Sequence, residues 1–133
     1  MIDFIRFWLV FEILGLLALP FAWRLFAFLP DRGYALARVL GLLGTGYILW
    51  LGASFGFLRN TGGGAVFALL LFASLGLWLG REGLRRDAQG RRPLVTHLQA
   101  QRSYILVSEL LFLVALGGWT WFRAYNPEIA GTE

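Results

Sequence analysis

The chain has 133 residues, of which 58% are apolar or aromatic and only 15% are charged. Soluble domains carry about 25% charged residues, so an ordinary water-soluble globule is excluded. All 12 basic residues are Arg and there is no Cys, which excludes chemistry that needs a P-loop lysine, a lysine Schiff base or a thiolate. In so apolar a chain, we expect the net charge of +4 to face a membrane surface rather than nucleic acid.

Four apolar windows are long enough to cross a membrane as helices, which takes roughly 20 residues for about 30 Å of hydrocarbon. They cover residues 7–29, 35–58, 62–80 and 104–122. Continuous Leu-rich runs favour helices, because membrane-spanning strands alternate apolar and polar side chains. The sequence therefore predicts an all-α integral membrane protein in which residues 1–133 form a single module of four transmembrane helices.

A short amphipathic segment precedes the fourth window. Pro93 is suited to the first turn of a helix, and Leu94, Leu98 and Ile105 recur at helical spacing between polar residues. This pattern predicts an interfacial helical turn or two that leads into the fourth helix. A solvated loop is the alternative interpretation.

The distribution of arginine predicts how the chain is oriented in a cell membrane. With the segment 81–102 in the cytoplasm, nine arginines lie on the inner side and three on the outer side. Cytoplasmic loops are enriched in Lys and Arg, so this arrangement is favoured. We therefore expect a multi-pass protein with both termini extracytoplasmic.

Four ionisable residues fall inside the windows, where each costs a few kcal/mol unless it is paired or hydrated. Arg38 and Glu109 lie at similar depths, so we expect an intramembrane charge pair, either structural or with a role toward a proton, ion or substrate. Arg24 is expected to snorkel to the interface or to join the inner turn formed by Asp31, Arg32 and Gly33. Glu12 has no evident partner in the sequence.

Glycines recur within the second and third windows, and the carboxyl-terminal run is polar. Gly52 and Gly56, and Gly76 and Gly80, stand four residues apart and predict close helix contacts, with Gly41, Gly44 and Thr45 as further small residues earlier in the second window. The segment 123–133 is either a short exposed tail or a surface loop with a chemical role. In the second case its carboxylates would hold a divalent cation or act as a base, with Arg123 near a phosphate.

Several stretches resemble the opening of the YYY membrane-protein family, a large polytopic group described from Chloroflexi-type bacteria and archaea. They are Leu29 to Arg38 (LPDRGYALAR), residues 40–43, 46–47, 50–51 and 60–61, Glu109, and Arg123 followed by Asn126 to Glu133 (NPEIAGTE). The resemblance covers nearly the whole chain, but the tyrosine run that gives the family its name is not among these residues. It implies the amino-terminal fragment of a larger protein, whose remaining spans would be its partners.

The resemblance further implies a likeness to C-type-fold glycosyltransferases, which use sugars linked to lipid phosphates and keep an acidic catalytic loop outside the membrane. On this interpretation Glu128 and Glu133 are catalytic, Arg123 and Asn126 bind substrate, and a divalent cation acts in the full-length protein. The fragment alone is expected to be inactive. The first alternative is a non-enzymatic membrane scaffold or accessory subunit. The second is part of a proton-coupled transporter that uses Glu12 and Glu109.

Overall fold

The computed structural model describes residues 2–125, and within this range the chain is all-helical, without strands. The helices are α1 (Ile2–Leu25), α2 (Ala37–Ser54), α3 (Gly62–Leu79), α4 (Arg81–Leu84), α5 (Pro93–Ala100) and α6 (Arg102–Tyr125). The predicted all-α class is correct for this part of the chain. The amphipathic segment forms α5, with Pro93 in its first turn and Leu94 buried.

Three helices in the described range are long and apolar enough to cross a membrane, namely α1, α3 and α6. The prediction of four transmembrane helices was therefore wrong, because α2 is not among them. Its 18 residues include Arg38, Thr45, Tyr47 and four glycines, which lower its hydropathy. The predicted window 35–58 is also longer than the helix. It included apolar residues after Ser54, where α2 ends and the chain turns through Gly56 (φ 77°).

The helices α1, α2 and α3 pack against one another through small residues. The α2 helix runs antiparallel to α1, with Gly41 against the Leu14 carbonyl, and α3 runs antiparallel to α2, with Gly44 against the ring of Phe72. A Cβ atom at either glycine would overlap its neighbour. Glycine is thus required for these close approaches, as expected for packing of helices in a membrane.

The α6 helix lies alongside α1 but packs only lightly, and none of its residues is buried. Phe112 of α6 meets Phe11 of α1 edge to face, with ring centroids 5.8 Å apart. Further along, residues 119–124 lie beside residues 3–7 of α1. The start of α1 and the end of α6 are therefore at one end of the bundle.

The segment that joins α3 to α6 lies at the opposite end, beside the end of α1. Arg24 contacts Glu82 of α4 at 3.3 Å, and the Trp23 ring meets His97 of α5 at 5.2 Å between centroids. These contacts place the arginine-rich residues 81–102 and the turn after α1 at the same end of the bundle.

Candidate functional site

The turn between α1 and α2 sets the position of the polar residues that follow it. The two carboxylate oxygens of Asp31 accept hydrogen bonds from the backbone N–H groups of Gly33 (3.2 Å) and Ala35 (3.1 Å). Arg32 and Gly33 have positive φ angles of 48° and 78°. The Arg32 guanidinium lies 4.1 Å from the centre of the Trp23 ring, which holds the turn against α1.

Arg38, at the start of α2, is buried and joins three helices. Its Nη2 atom donates to Glu12 Oε1 of α1 at 2.8 Å and also to Glu109 Oε2 of α6. Its guanidinium lies 4.5 Å from the centre of the Phe112 ring. Tyr34 completes the cluster, because its hydroxyl donates to Glu109 Oε1 at 2.6 Å. We call Glu12, Tyr34, Arg38 and Glu109 the Arg38 cluster.

Local packing leaves just enough room for the Arg38 side chain. A Cβ atom on Gly15 would lie only 2.8 Å from Arg38 Cγ, so a larger residue at position 15 would displace the arginine. A cavity of about 10 Å³ lies between α1 and α2, lined in part by Glu12, Tyr34 and Arg38. This volume is sufficient for about one water molecule.

Tyr34 lies in the turn, outside the membrane-spanning helices, and its acidity is altered by its surroundings. Burial raises the pKa of the phenol well above its usual value, because the charged phenolate is disfavoured away from water. The hydrogen bond to Glu109 and the negative charge of that carboxylate raise the pKa further. Tyr34 therefore acts as a hydrogen-bond donor at ordinary pH.

The structure brings Arg38 and Glu109 together and adds Glu12, for which the sequence offered no partner. Spacing along the chain contains no signal for the Glu12 contact, since it depends on which face of α1 meets α2. Arg24 does not join Asp31 and Arg32. It pairs instead with Glu82 on an exposed surface, an arrangement that fits the first of the two alternatives for Arg24, in which its side chain extends to the interface.

A groove of about 740 Å³ separates α1 from α6 at the other end of the bundle. Its walls are mostly apolar and aromatic, with Asp3 and Arg123 among the lining residues. Of the predicted catalytic and binding residues, Arg123 lies in this groove, whereas Asn126, Glu128 and Glu133 lie outside the described residues. Among residues 2–125, no group of three or more acidic or histidine side chains is arranged to hold a metal ion.

Comparison with known proteins supplies the family. Residues 45–133 match the family model described as uncharacterized membrane protein, DUF2298. No curated protein and no solved structure matches the chain. The matched range contains Glu109 and begins within α2, after Glu12, Tyr34 and Arg38. Because the match covers more than half of the chain and three helices suit a bilayer, this multi-pass membrane protein belongs to the DUF2298 family.

Proposed function

We propose that the chain is the amino-terminal membrane module of a larger glycosyltransferase that uses a sugar linked to a lipid phosphate. The supporting observation is the groove between α1 and α6, where Arg123 lines a mostly apolar space beside the start of α1. An apolar groove with a guanidinium suits a lipid tail and its phosphate, because Arg binds phosphate through paired hydrogen bonds. The family resemblance supplies the reaction class.

In this proposal the acidic segment that follows α6 supplies the chemistry. Glu128 and Glu133 act as catalytic carboxylates, as a base or as ligands of a divalent cation, while Asn126 helps Arg123 to bind the donor. The other spans of the full-length protein complete the site, so the 133-residue chain alone is inactive.

The proposal also requires an orientation, with residues 81–102 in the cytoplasm and both ends outside. This orientation requires that α2, although it is not apolar enough to count as a span by itself, returns the chain to the outer side while packed between α1 and α3. The arginine-rich segment and the turn after α1 lie at one end of the bundle, whereas the start of α1 and Arg123 lie at the other. Arginine is retained on the cytoplasmic side of membrane proteins, which supports this direction.

Sugar transfer by the full-length protein in liposomes that contain a lipid-linked sugar tests the proposed activity. Glu128→Gln or Glu133→Gln should reduce transfer by about 100-fold or more if the residue acts as a general base. Arg123→Ala should raise the donor concentration needed for half-maximal rate. The matched control is Arg59→Ala, an exposed arginine between α2 and α3 that does not line the groove. Full activity in all three site variants would contradict the proposal.

A non-enzymatic scaffold is the second candidate, and the Arg38 cluster favours it because one side chain fastens three helices. If the protein is a scaffold, replacing Arg38 should impair assembly with its partner spans, whereas Glu128→Gln should leave assembly unchanged. The transporter hypothesis stays a prediction. Its test is proton-coupled uptake in vesicles, which Glu12→Gln and Glu109→Gln should abolish.

A further inference from the structure

The Arg38 cluster has more negative than positive charge. Glu12 and Glu109 contact the same nitrogen of Arg38, so two carboxylates share a single guanidinium. With both carboxylates ionised, the cluster carries one net negative charge at a position where α1 and α6 face lipid. An uncompensated charge in hydrocarbon costs several kcal/mol, and acidic groups in such places take up a proton instead.

Among residues 2–125, no second cationic side chain contacts either carboxylate. Tyr34 and, beyond Arg38, Tyr104 of α6 carry no cationic group, and α3 contains no titratable residue. Arg24 is engaged with Glu82 at the end of the bundle. The Arg38 cluster is therefore electrically neutral only when one of its two carboxyl groups is protonated.

The hydrogen bonds distinguish the two carboxyl groups. Glu109 accepts from both Tyr34 and Arg38, whereas Glu12 accepts from Arg38 alone. Each hydrogen bond donated to a carboxylate stabilises its charged form. Glu109 therefore accepts two hydrogen bonds that stabilise its carboxylate form, whereas Glu12 accepts one.

Two further observations indicate a specific binding site rather than a chance cluster of acidic side chains. Arg38 is only 7% exposed, yet its Nε atom has no hydrogen-bond partner among residues 2–125. Arg38 also lines the cavity of about 10 Å³, together with Glu12 and Tyr34. A cavity of this size with polar lining groups has room for about one water molecule.

We propose that the Arg38 cluster is a proton-binding site that holds one proton on Glu12 within the membrane. The proton comes from water and forms an O–H bond to a carboxylate oxygen of Glu12, and no other covalent bond changes. The protonated Glu12, the ionised Glu109 and the Arg38 guanidinium together are neutral. This inference does not depend on the proposed sugar transfer.

Infrared spectroscopy of the full chain in lipid nanodiscs tests the site, because a protonated carboxyl group has a C=O stretch that an ionised carboxylate lacks. At neutral pH the native chain should show this band, shifted in heavy water. Glu12→Gln should abolish it. Glu109→Gln should also abolish it, because Glu12 is then the one carboxylate facing Arg38 and the pair is neutral when ionised. The control Glu82→Gln, on an exposed residue, should leave the band unchanged.

Arg38→Gln provides an opposite signal, because removal of the guanidinium leaves two carboxyl groups that should both be protonated. The band should then increase about twofold in a variant that inserts and folds. Absence of the band from the native chain would overturn the proposal, and so would its persistence in both Glu12→Gln and Glu109→Gln. The native measurement is decisive even where a variant fails to fold.

Discussion

Tyr34 and Glu109 are 75 residues apart in the sequence, yet the Tyr34 hydroxyl donates a hydrogen bond of 2.6 Å to the Glu109 carboxylate. This bond and the contact of Glu109 with Arg38 join α6 to the turn and to α2. Because α6 has no buried residue, these polar contacts carry much of its specific attachment to the bundle.

Replacing Tyr34 with Phe should weaken the attachment of α6 while keeping the aromatic ring. A hydrogen bond to a charged group contributes about 1.5–3 kcal/mol, so the free energy of unfolding should fall by that order. Thermal unfolding in detergent or nanodiscs measures the change. Tyr47→Phe is the matched control, because Tyr47 is an exposed tyrosine of α2, and it should leave stability unchanged. Equal effects of the two variants would contradict the role of Tyr34.

Replacing Arg38 with Met should destabilise the fold more than any exposed arginine does. The change leaves Glu12 and Glu109 without their cation, and breaking a buried ion pair costs about 3–5 kcal/mol. Arg6→Met, at an exposed pair, should cost about 1 kcal/mol or less. Unfolding measured for both variants gives the comparison. If Arg38→Met were as stable as Arg6→Met, Arg38 would not hold the three helices together.

Two glycines of the same helix should respond differently to Ala. At Gly41 the added Cβ would overlap the Leu14 carbonyl, so Gly41→Ala should separate α1 from α2 at a cost of about 1–3 kcal/mol. At Gly46 nothing lies within 4 Å, and Gly46→Ala should be neutral or stabilising by up to about 1 kcal/mol. Unfolding of the two variants measures the difference, and a reversed order would mean that α1 and α2 do not meet at Gly41.

Tyr34 should ionise at a higher pH than an ordinary tyrosine, whose pKa is about 10. The pKa in the folded state is raised, so the folded state favours the protonated phenol. Its contribution to stability is then complete below about pH 10 and is lost as the pH rises through the folded-state pKa. The absorbance of tyrosinate, taken as the difference between the native chain and Tyr34→Phe, reports this ionisation. A difference that titrates at or below the ordinary pKa would contradict the burial of Tyr34.

Single cysteines test the proposed orientation cleanly because the chain has no native Cys. With a thiol label that does not cross membranes, Ala124→Cys should react in intact cells, since it lies at the exposed end of α6. Gln89→Cys, in the exposed loop before α5, should react only after the cells are opened. The reverse pattern would place residues 81–102 outside and would remove the basis for an extracytoplasmic site.

The sequence by itself determined the helical class, the membrane location and the position of α5. These properties follow from local features, namely continuous apolar runs, helical periodicity and Pro93, which act without knowledge of the fold. Length and apolar content also predicted a fourth transmembrane helix. That prediction failed for α2 because Arg38 and four glycines lower the hydropathy of its 18 residues, and the window also counted apolar residues beyond Ser54 that do not belong to the helix.

Only the tertiary structure decided which charged side chains form ion pairs. The rotation of α1 about its axis brings Glu12 to Arg38, and the path of the chain beyond α3 brings Glu82 to Arg24. Neither is set by local sequence, because helix rotation and register result from packing at glycines such as Gly15 and Gly41. A charged residue in an apolar helix can be recognised from sequence, but its partner is determined by how the helices pack.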